Sequence, residues 1–69
     1  MNRVTENRVK RMIIESIDGE CIHNVKEIVD RVTCRTGANR VNIVLCLIHL
    51  VHDNVIEEVH PGCFTMSWF

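Results

Sequence analysis

The sequence is poor in residues that break or disorder a chain, with one proline and three glycines among 69 residues and no repetitive tract. It also lacks a long apolar segment, because its longest apolar run, residues 43–48, has only six residues. A membrane-spanning helix needs about 20 apolar residues, and a signal peptide needs an apolar core of at least about seven. The composition therefore argues against a disordered chain and a membrane span, and we expect one folded domain in the cytoplasm.

An excess of positive charge is absent as well, since eight basic residues face nine acidic ones and the net charge is −1. Proteins that bind nucleic acid without sequence preference usually carry a strong positive excess. The basic residues are nevertheless clustered, with four in residues 1–14 and three in residues 31–40, where the sequence has no acid. The charge pattern thus disfavours non-specific polyanion binding but permits a local nucleic-acid contact.

Apolar side chains repeat at helical spacing in three segments, about residues 5–17, 24–34 and 39–52. Asn24 is suited to cap the second segment, and Glu27 is placed three residues on to return the bond in a capping box. The sequence therefore predicts three helices.

Turn signals separate these helices. Gly19 is expected to end the first helix in the left-handed conformation, and residues 20–22 are expected to form a short strand. Residues 34–39 are polar, contain a glycine and offer Thr36 or Asn39 as the next cap. This pattern is typical of a tight turn between two helices.

The C-terminal part contains two β-prone runs, about residues 55–60 and 63–68, joined by the turn pair Pro61-Gly62. In the second run alternate side chains are expected to face the core, namely Phe64, Met66 and Trp68. The chain is thus predicted to be a single domain over residues 1–69 with a mainly helical α+β fold, three helices followed by a hairpin.

With its elements in the order helix, short strand, helix, turn, helix and hairpin, the whole chain resembles the winged helix-turn-helix superfamily. The resemblance extends to the segment Val25-Lys26-Glu27-Ile28-Val29 and to the third-helix ending with Leu47, Leu50 and Asn54-Val55-Ile56. In that family the second helix reads hydrophobic-x-Glu-Ile/Leu-Ala, and the third ends in Leu-x-x-Leu followed by a glycine and a hydrophobic residue. Val29 stands here for the usual alanine and Asn54 for the glycine. Asparagine also tolerates the left-handed conformation, so the second departure is mild.

The resemblance implies that the third helix enters the major groove of DNA and that the residues around its start meet base edges. It nominates five DNA-contacting residues, Arg35, Thr36, Asn39, Arg40 and Asn42. Arginine can donate two hydrogen bonds to guanine, and asparagine can pair with adenine. The expected function is a small transcription regulator that binds double-stranded DNA as a homodimer. The alternative is that Thr36 and Asn39 are only caps and that the arginines only solvate a turn.

The predicted third helix is apolar on two sides. Its core face has Ile43, Val44, Leu47, Leu50 and Val51, and the opposite face has Val41, Leu45 and Ile48 with His49 and His52 beside them. Exposed aliphatic patches usually mark interfaces, so the second face predicts a dimer or partner contact. This favours a second function, a winged-helix module that binds a partner protein without binding DNA. Alternatively, the N-terminal segment and the hairpin bury this helix on all sides.

Four cysteines and four histidines raise the question of a metal site. Two pairs have ligand-like spacing, Cys46 with His49 and His60 with Cys63. The pairs belong to different elements and no Cys-x-x-Cys is present, so we expect no metal and no cofactor. A disulfide, either Cys21 to Cys34 or one across a dimer, stays open as an alternative.

The sequence shows no nucleophile with an adjacent base and no phosphate-binding glycine motif. A domain of this size also rarely holds a pocket deep enough for chemistry. We therefore expect that the chain is not an enzyme.

Overall fold

The computed structural model describes residues 2–67, which form three helices followed by a two-stranded antiparallel hairpin. The elements are α1 (Arg3–Ile14), a π-helical turn (Glu15–Gly19), α2 (Val25–Thr36), α3 (Arg40–His52), β1 (Ile56–His60) and β2 (Cys63–Met66). The predicted α+β architecture is confirmed, and the layout is that of a winged helix. Trp68, which the alternation assigned to the core, lies outside the described residues.

The first helix differs from its prediction at both ends. It begins at Arg3 because the side chain of Asn2 accepts a hydrogen bond from the backbone N–H of Thr5 at 2.8 Å. After Ile14 the backbone continues as the π-helical turn, which buries Ser16. The Ser16 hydroxyl donates to the carbonyl oxygen of Met12 at 2.8 Å, which satisfies this buried polar group within its own helix.

Two predictions for the segment between α1 and α2 are wrong. Gly19 ends the π-helical turn without a positive φ, and Cys21, at φ 56°, takes the left-handed conformation instead. Residues 20–22 form no strand; the bridge to β2 is made two residues later, between Asn24 and Cys63. Around that bridge the N–H of Val25 donates to the carbonyl oxygen of Gly62 at 2.7 Å. The lead-in to α2 therefore holds the hairpin turn against the helices.

The caps of α2 and α3 explain where these helices begin and end. Asn24 caps α2 by accepting a hydrogen bond from the N–H of Lys26 at 2.9 Å. Glu27 is exposed and, within residues 2–67, accepts no hydrogen bond from the N–H of Asn24. The predicted capping box is therefore wrong. Gly37, at φ 75°, closes α2 in the left-handed conformation. Asn39, one of the two caps that the sequence offers, then caps α3 through the N–H of Asn42 at 2.9 Å.

All three helices and both strands contribute to one hydrophobic core. Its fully buried side chains include Val9 and Ile13 of α1, Ile28 and Val32 of α2, Ile43 and Cys46 of α3, and Ile56 of β1. Phe64 and Met66 of β2 are buried, which confirms the predicted alternation. Asn54, at φ 60°, makes the left-handed turn from α3 into the hairpin, in the position where the winged-helix pattern has glycine. No helix within residues 2–67 is both long enough and apolar enough to cross a lipid bilayer.

Candidate functional site

Helix α3 has one apolar face in the core and a second apolar face in solvent. Its buried side chains are Ile43, Cys46, Leu47 and Leu50. On the outer side Val41, Leu45 and Ile48 keep 67%, 46% and 56% of their surface exposed. We call these three residues the α3 stripe. Within residues 2–67 neither the N-terminal segment nor the hairpin covers this face, so the alternative of a helix buried on all sides is wrong for the part of the chain that the structure describes.

An apolar groove of about 300 Å³ adjoins the α3 stripe. Ile48 belongs to both, and the other lining residues are Val44, Leu47 and Val51 of α3, Val25 of α2, and Glu58 and Phe64 of the hairpin. Glu58 brings a negative charge to the rim, and one of its oxygens accepts from the N–H of Gly62 at 2.9 Å. The groove extends the apolar surface of the α3 stripe toward the hairpin. Periodicity within one helix gives no signal of this groove, because three separate elements form it.

The two histidines predicted beside the α3 stripe are exposed. Nδ1 of His52 lies 3.4 Å from a carboxylate oxygen of Asp53, which follows α3 as its C-cap. This contact is an ion pair only when His52 is protonated. When His52 is neutral, this contact does not compensate the negative charge of Asp53 at the C-terminal end of α3.

Arg35 lies in the last turn of α2 and points toward acids that are distant in sequence. Its guanidinium nitrogens lie 3.5 Å from a carboxylate oxygen of Glu20 and 3.9 Å from one of Glu15. Arg31 lies closer still to Glu20, at 3.1 Å. Residues 31–40 contain no acid, but Arg31 and Arg35 pair with Glu15 of the π-helical turn and with Glu20, the residue after that turn. Two of the three positive charges in this segment are thus largely neutralised. These ion pairs compete with a DNA contact by Arg35.

The hydroxyl of Thr36 and the side-chain oxygen of Asn39 already have partners within the turn between α2 and α3. The hydroxyl of Thr36 donates to the carbonyl oxygen of Val32 at 2.7 Å and accepts from the N–H of Ala38 at 3.2 Å. The side-chain oxygen of Asn39 caps α3. These contacts correspond to the capping alternative for both residues.

Arg40 differs from the other nominated residues because its charge has no partner within residues 2–67. It is the first residue of α3 and is exposed. Asn42, two residues on, is half-buried and its backbone N–H is bound to the cap. Of the five nominated DNA-contacting residues, Arg40 therefore has the most accessible charge.

A second groove, of about 550 Å³, lies between α2 and the start of α3. Lys26 and Arg40 bring two positive charges to its lining, and Asp30 brings a negative one. A phosphate in this groove would meet both cations but also the carboxylate.

The hairpin offers little positive charge. Glu57 and Glu58 of β1 are exposed and only His60 is basic near the turn. The register of the two strands shifts between Glu58 and His60, and the residue between them, Val59, is 47% exposed. A wing with this composition is poorly suited to phosphate contact.

The sequence spacing allows Cys46 and His49 to share a metal site, but the structure separates their side chains. Cys46 is fully buried whereas His49 is exposed, so the two do not point into one site. Within residues 2–67 no group of three or more His, Cys, Asp or Glu side chains is arranged to hold a metal ion. The thiols of Cys21 and Cys34 are free and exposed.

Comparison of the chain with protein-family models, with curated proteins and with solved structures found no match. Function is therefore argued from the site itself.

Proposed function

We propose that this chain is a non-catalytic module of the winged helix-turn-helix type that docks on another protein through the α3 stripe and the adjoining apolar groove. The observation that carries the proposal is the exposure of Val41, Leu45 and Ile48 on the face that a DNA-reading helix would present to bases. Base edges are read mainly by hydrogen bonds, which these side chains cannot make. Burial of the same side chains against a protein is favourable, at about 25 cal/mol per Å² of apolar surface.

The shape of the surface favours a helix as the docked element. A helical stripe beside a groove is the geometry in which amphipathic helices bind, with apolar side chains spaced three or four residues apart. Glu58 at the groove rim favours a partner helix with a basic residue at that edge.

The contacts of the other nominated residues support the same choice. Arg35 has two acidic partners, Asn39 caps a helix and Thr36 has two hydrogen bonds in its turn. A DNA-binding role would compete with some of these contacts, whereas docking through the α3 stripe leaves them in place.

Selection from a displayed library of amphipathic helical peptides tests the proposal. We expect peptides selected on the parent protein to lose binding to Ile48→Glu, because the substitution puts a charge where the stripe meets the groove. Val59→Glu is the matched control, since Val59 is an aliphatic residue of similar exposure on the hairpin. Selected peptides that bind Ile48→Glu as well as they bind the parent would contradict the proposal.

A second candidate function, duplex-DNA binding as a transcription regulator, is supported by Arg40 and Lys26, which line one groove at the starts of α3 and α2. A helix-turn-helix approaches DNA with these regions. A gel-shift experiment with duplex DNA at about 50 mM salt distinguishes the two functions. Binding that weakens steeply with salt and is lost in Arg40→Ala would favour the regulator, and we expect no such binding.

A further inference from the structure

We infer that the partner of this surface is an amphipathic helix with acidic residues in its first turns and basic residues in its last turns, and that this helix lies parallel to α3 along one flank of α3. The inference rests on the proposed function, since it names the charge pattern and the direction of a partner for the same surface. Three connected grooves beside α3 and the charges at their two ends carry it.

The three grooves lie one after another along α3, and neighbouring grooves share lining residues. The groove of about 550 Å³ at the start of α3 shares Val25 with the apolar groove of about 300 Å³. The apolar groove shares Val51 and Glu58 with a third groove, of about 590 Å³, between the end of α3 and β1. We call this continuous depression the α3 furrow.

The residues of α3 that line the furrow lie on one flank of the helix. Arg40, Val44, Ile48 and Val51 are separated by four, four and three residues, which is the spacing of neighbours on one helical face. Arg40 lines the first groove and Val51 the third, and at about 1.5 Å per residue they lie about 16 Å apart along the helix. A docked helix of about three turns spans that length. Ile48 also belongs to the α3 stripe, so such a helix covers part of the stripe.

The furrow is positive at one end, apolar in the middle and negative at the other end. Lys26 and Arg40 line the first groove together with Asp30, which leaves one positive charge in excess. Glu57 and Glu58 line the third groove, and no base within residues 2–67 lines it. The furrow is therefore complementary to a partner with acids at one end and bases at the other.

These charges are available to a partner. In the part of the chain that the structure describes, no ion pair holds Lys26, Arg40, Asp30 or Glu57. Glu58 accepts from the N–H of Gly62 and has no cationic partner there either. A helix that supplies the opposite charges therefore adds ion pairs without breaking an existing one.

The direction of the partner follows from the order of the charges along α3. The positive end of the furrow lies at the start of α3, where the helix dipole is also positive, and the negative end lies beside its last turn. Acids in the first turns and bases in the last turns are the arrangement that the dipole of the partner helix itself favours. Such a helix matches the furrow only when it runs parallel to α3. The unfavourable alignment of the two helix dipoles is a smaller effect, because each helix end carries only about half a charge.

Fluorescence anisotropy of two designed helical peptides with the same apolar face tests the inference. The first peptide has acids in its first turns and bases in its last turns, and the second has these charges exchanged. Each is titrated with the parent and with a double variant, Arg40→Glu with Glu57→Lys, which keeps the net charge and reverses one charge at each end of the furrow. We expect the parent to prefer the first peptide by at least about fivefold in Kd, and the double variant to lose or reverse that preference.

Two controls separate charge matching from other causes. The helicity of each free peptide is the same in every titration, so a change of preference between proteins does not arise from the peptides. Arg40→Glu places an acid at the start of α3, where the dipole favours it, and Glu57 is exposed, so we expect the double variant to fold. Arg8→Glu with Asp18→Lys is the matched control, because it makes the same two charge changes at exposed residues that do not line the furrow. We expect it to keep the preference of the parent.

Three results would overturn the inference: a parent that does not prefer the first peptide, a double variant that keeps the preference of the parent, or a control variant that loses it. A parent that binds both peptides equally, with both lost in Ile48→Glu, removes the charge-directed partner but leaves the proposed function standing. If neither the designed peptides nor the selected ones depend on Ile48, the proposed function fails as well.

Discussion

Cys46 is fully buried in the core, and the fold changes its acid–base chemistry. Burial raises the pKa of its thiol above the ordinary value, the negative charge of Glu6 raises that pKa further, and Lys10 acts in the opposite direction with a smaller effect. The folded chain therefore holds the thiol proton more tightly than the unfolded chain does. The buried, neutral thiol acts as a small apolar side chain in the core.

This shift predicts a loss of stability at alkaline pH. The contribution of Cys46 is fully present below the ordinary thiol pKa and is lost as the pH rises through the raised pKa, because the unfolded chain releases its proton first. Urea unfolding of the parent and of Cys46→Ala over a series of alkaline pH values measures it. We expect the free energy of unfolding to fall more steeply with pH for the parent. If the free energy of unfolding changed with pH in the same way for both proteins, a raised pKa of the Cys46 thiol would be contradicted.

Arg35 and Arg40 show what a sequence can and cannot predict for single residues. Both are arginines near the turn between α2 and α3, so the sequence nominates them equally as DNA-contacting residues. The ion pairs of Arg35 come from Glu15 and Glu20, which the π-helical turn and the chain reversal bring to α2. Because these contacts depend on how the connection after α1 folds, local sequence patterns do not predict them.

At the scale of elements, the turn between α2 and α3 depends on one glycine. Gly37 has φ 75°, and a Cβ built at this position would have nothing within 4 Å. Conformational strain alone, and no steric contact, therefore opposes a side chain there.

We expect Gly37→Ala to lower the free energy of unfolding by about 1 kcal/mol, the usual order of the left-handed penalty. Gly19→Ala is the matched control, because Gly19 has no positive φ and its Cβ would make only an ordinary contact with Glu15. Chemical unfolding of both variants provides the comparison. Equal effects at the two positions would contradict this account of the turn.

Helices and strands were the most predictable features of this fold. Apolar spacing and the caps Asn24 and Asn39 located α2 and α3, and the Pro61-Gly62 pair located the hairpin turn. The region between Ile14 and Asn24 was not predictable, because a π-helical turn and a left-handed cysteine have no distinctive local pattern. The predicted strand at residues 20–22 was wrong for the same reason.

At the scale of the whole molecule, the two faces of α3 are expected to have separate roles. Leu47 is 2% exposed and packs in the core, whereas Leu45 belongs to the α3 stripe. The core face stabilises the monomer, and the outer face is available to a partner.

The same substitution on the two faces tests this division. We expect Leu47→Ala to cost about 2–5 kcal/mol of unfolding free energy through loss of packing and a cavity. Leu45→Ala is expected to change it by no more than about 0.5 kcal/mol when the protein is dilute enough to be monomeric. Thermal or urea unfolding at low concentration measures both, and a large cost for Leu45→Ala would mean that the outer face is part of the core.

The outer face of helix α3 cannot serve two of the candidate functions at the same time. A helix that buries Val41 and Leu45 against a protein cannot insert the same face into a major groove. The sequence-based expectation of a homodimer that reads DNA through α3 therefore needs a dimer contact elsewhere on the molecule. The second apolar face was predictable from the spacing on one helix, but its exposure was one of two alternatives. The adjoining groove was not predictable, since α2, α3 and the hairpin form it together.

Methyl NMR of the dilute protein with a selected helical peptide tests whether the α3 stripe is a protein-docking surface. We predict that the largest shift changes fall on the methyl groups of Val41, Leu45 and Ile48, while those of the buried Val9 and Ile13 change little. Changes concentrated on the hairpin or on α1, with the α3 stripe unaffected, would contradict the claim.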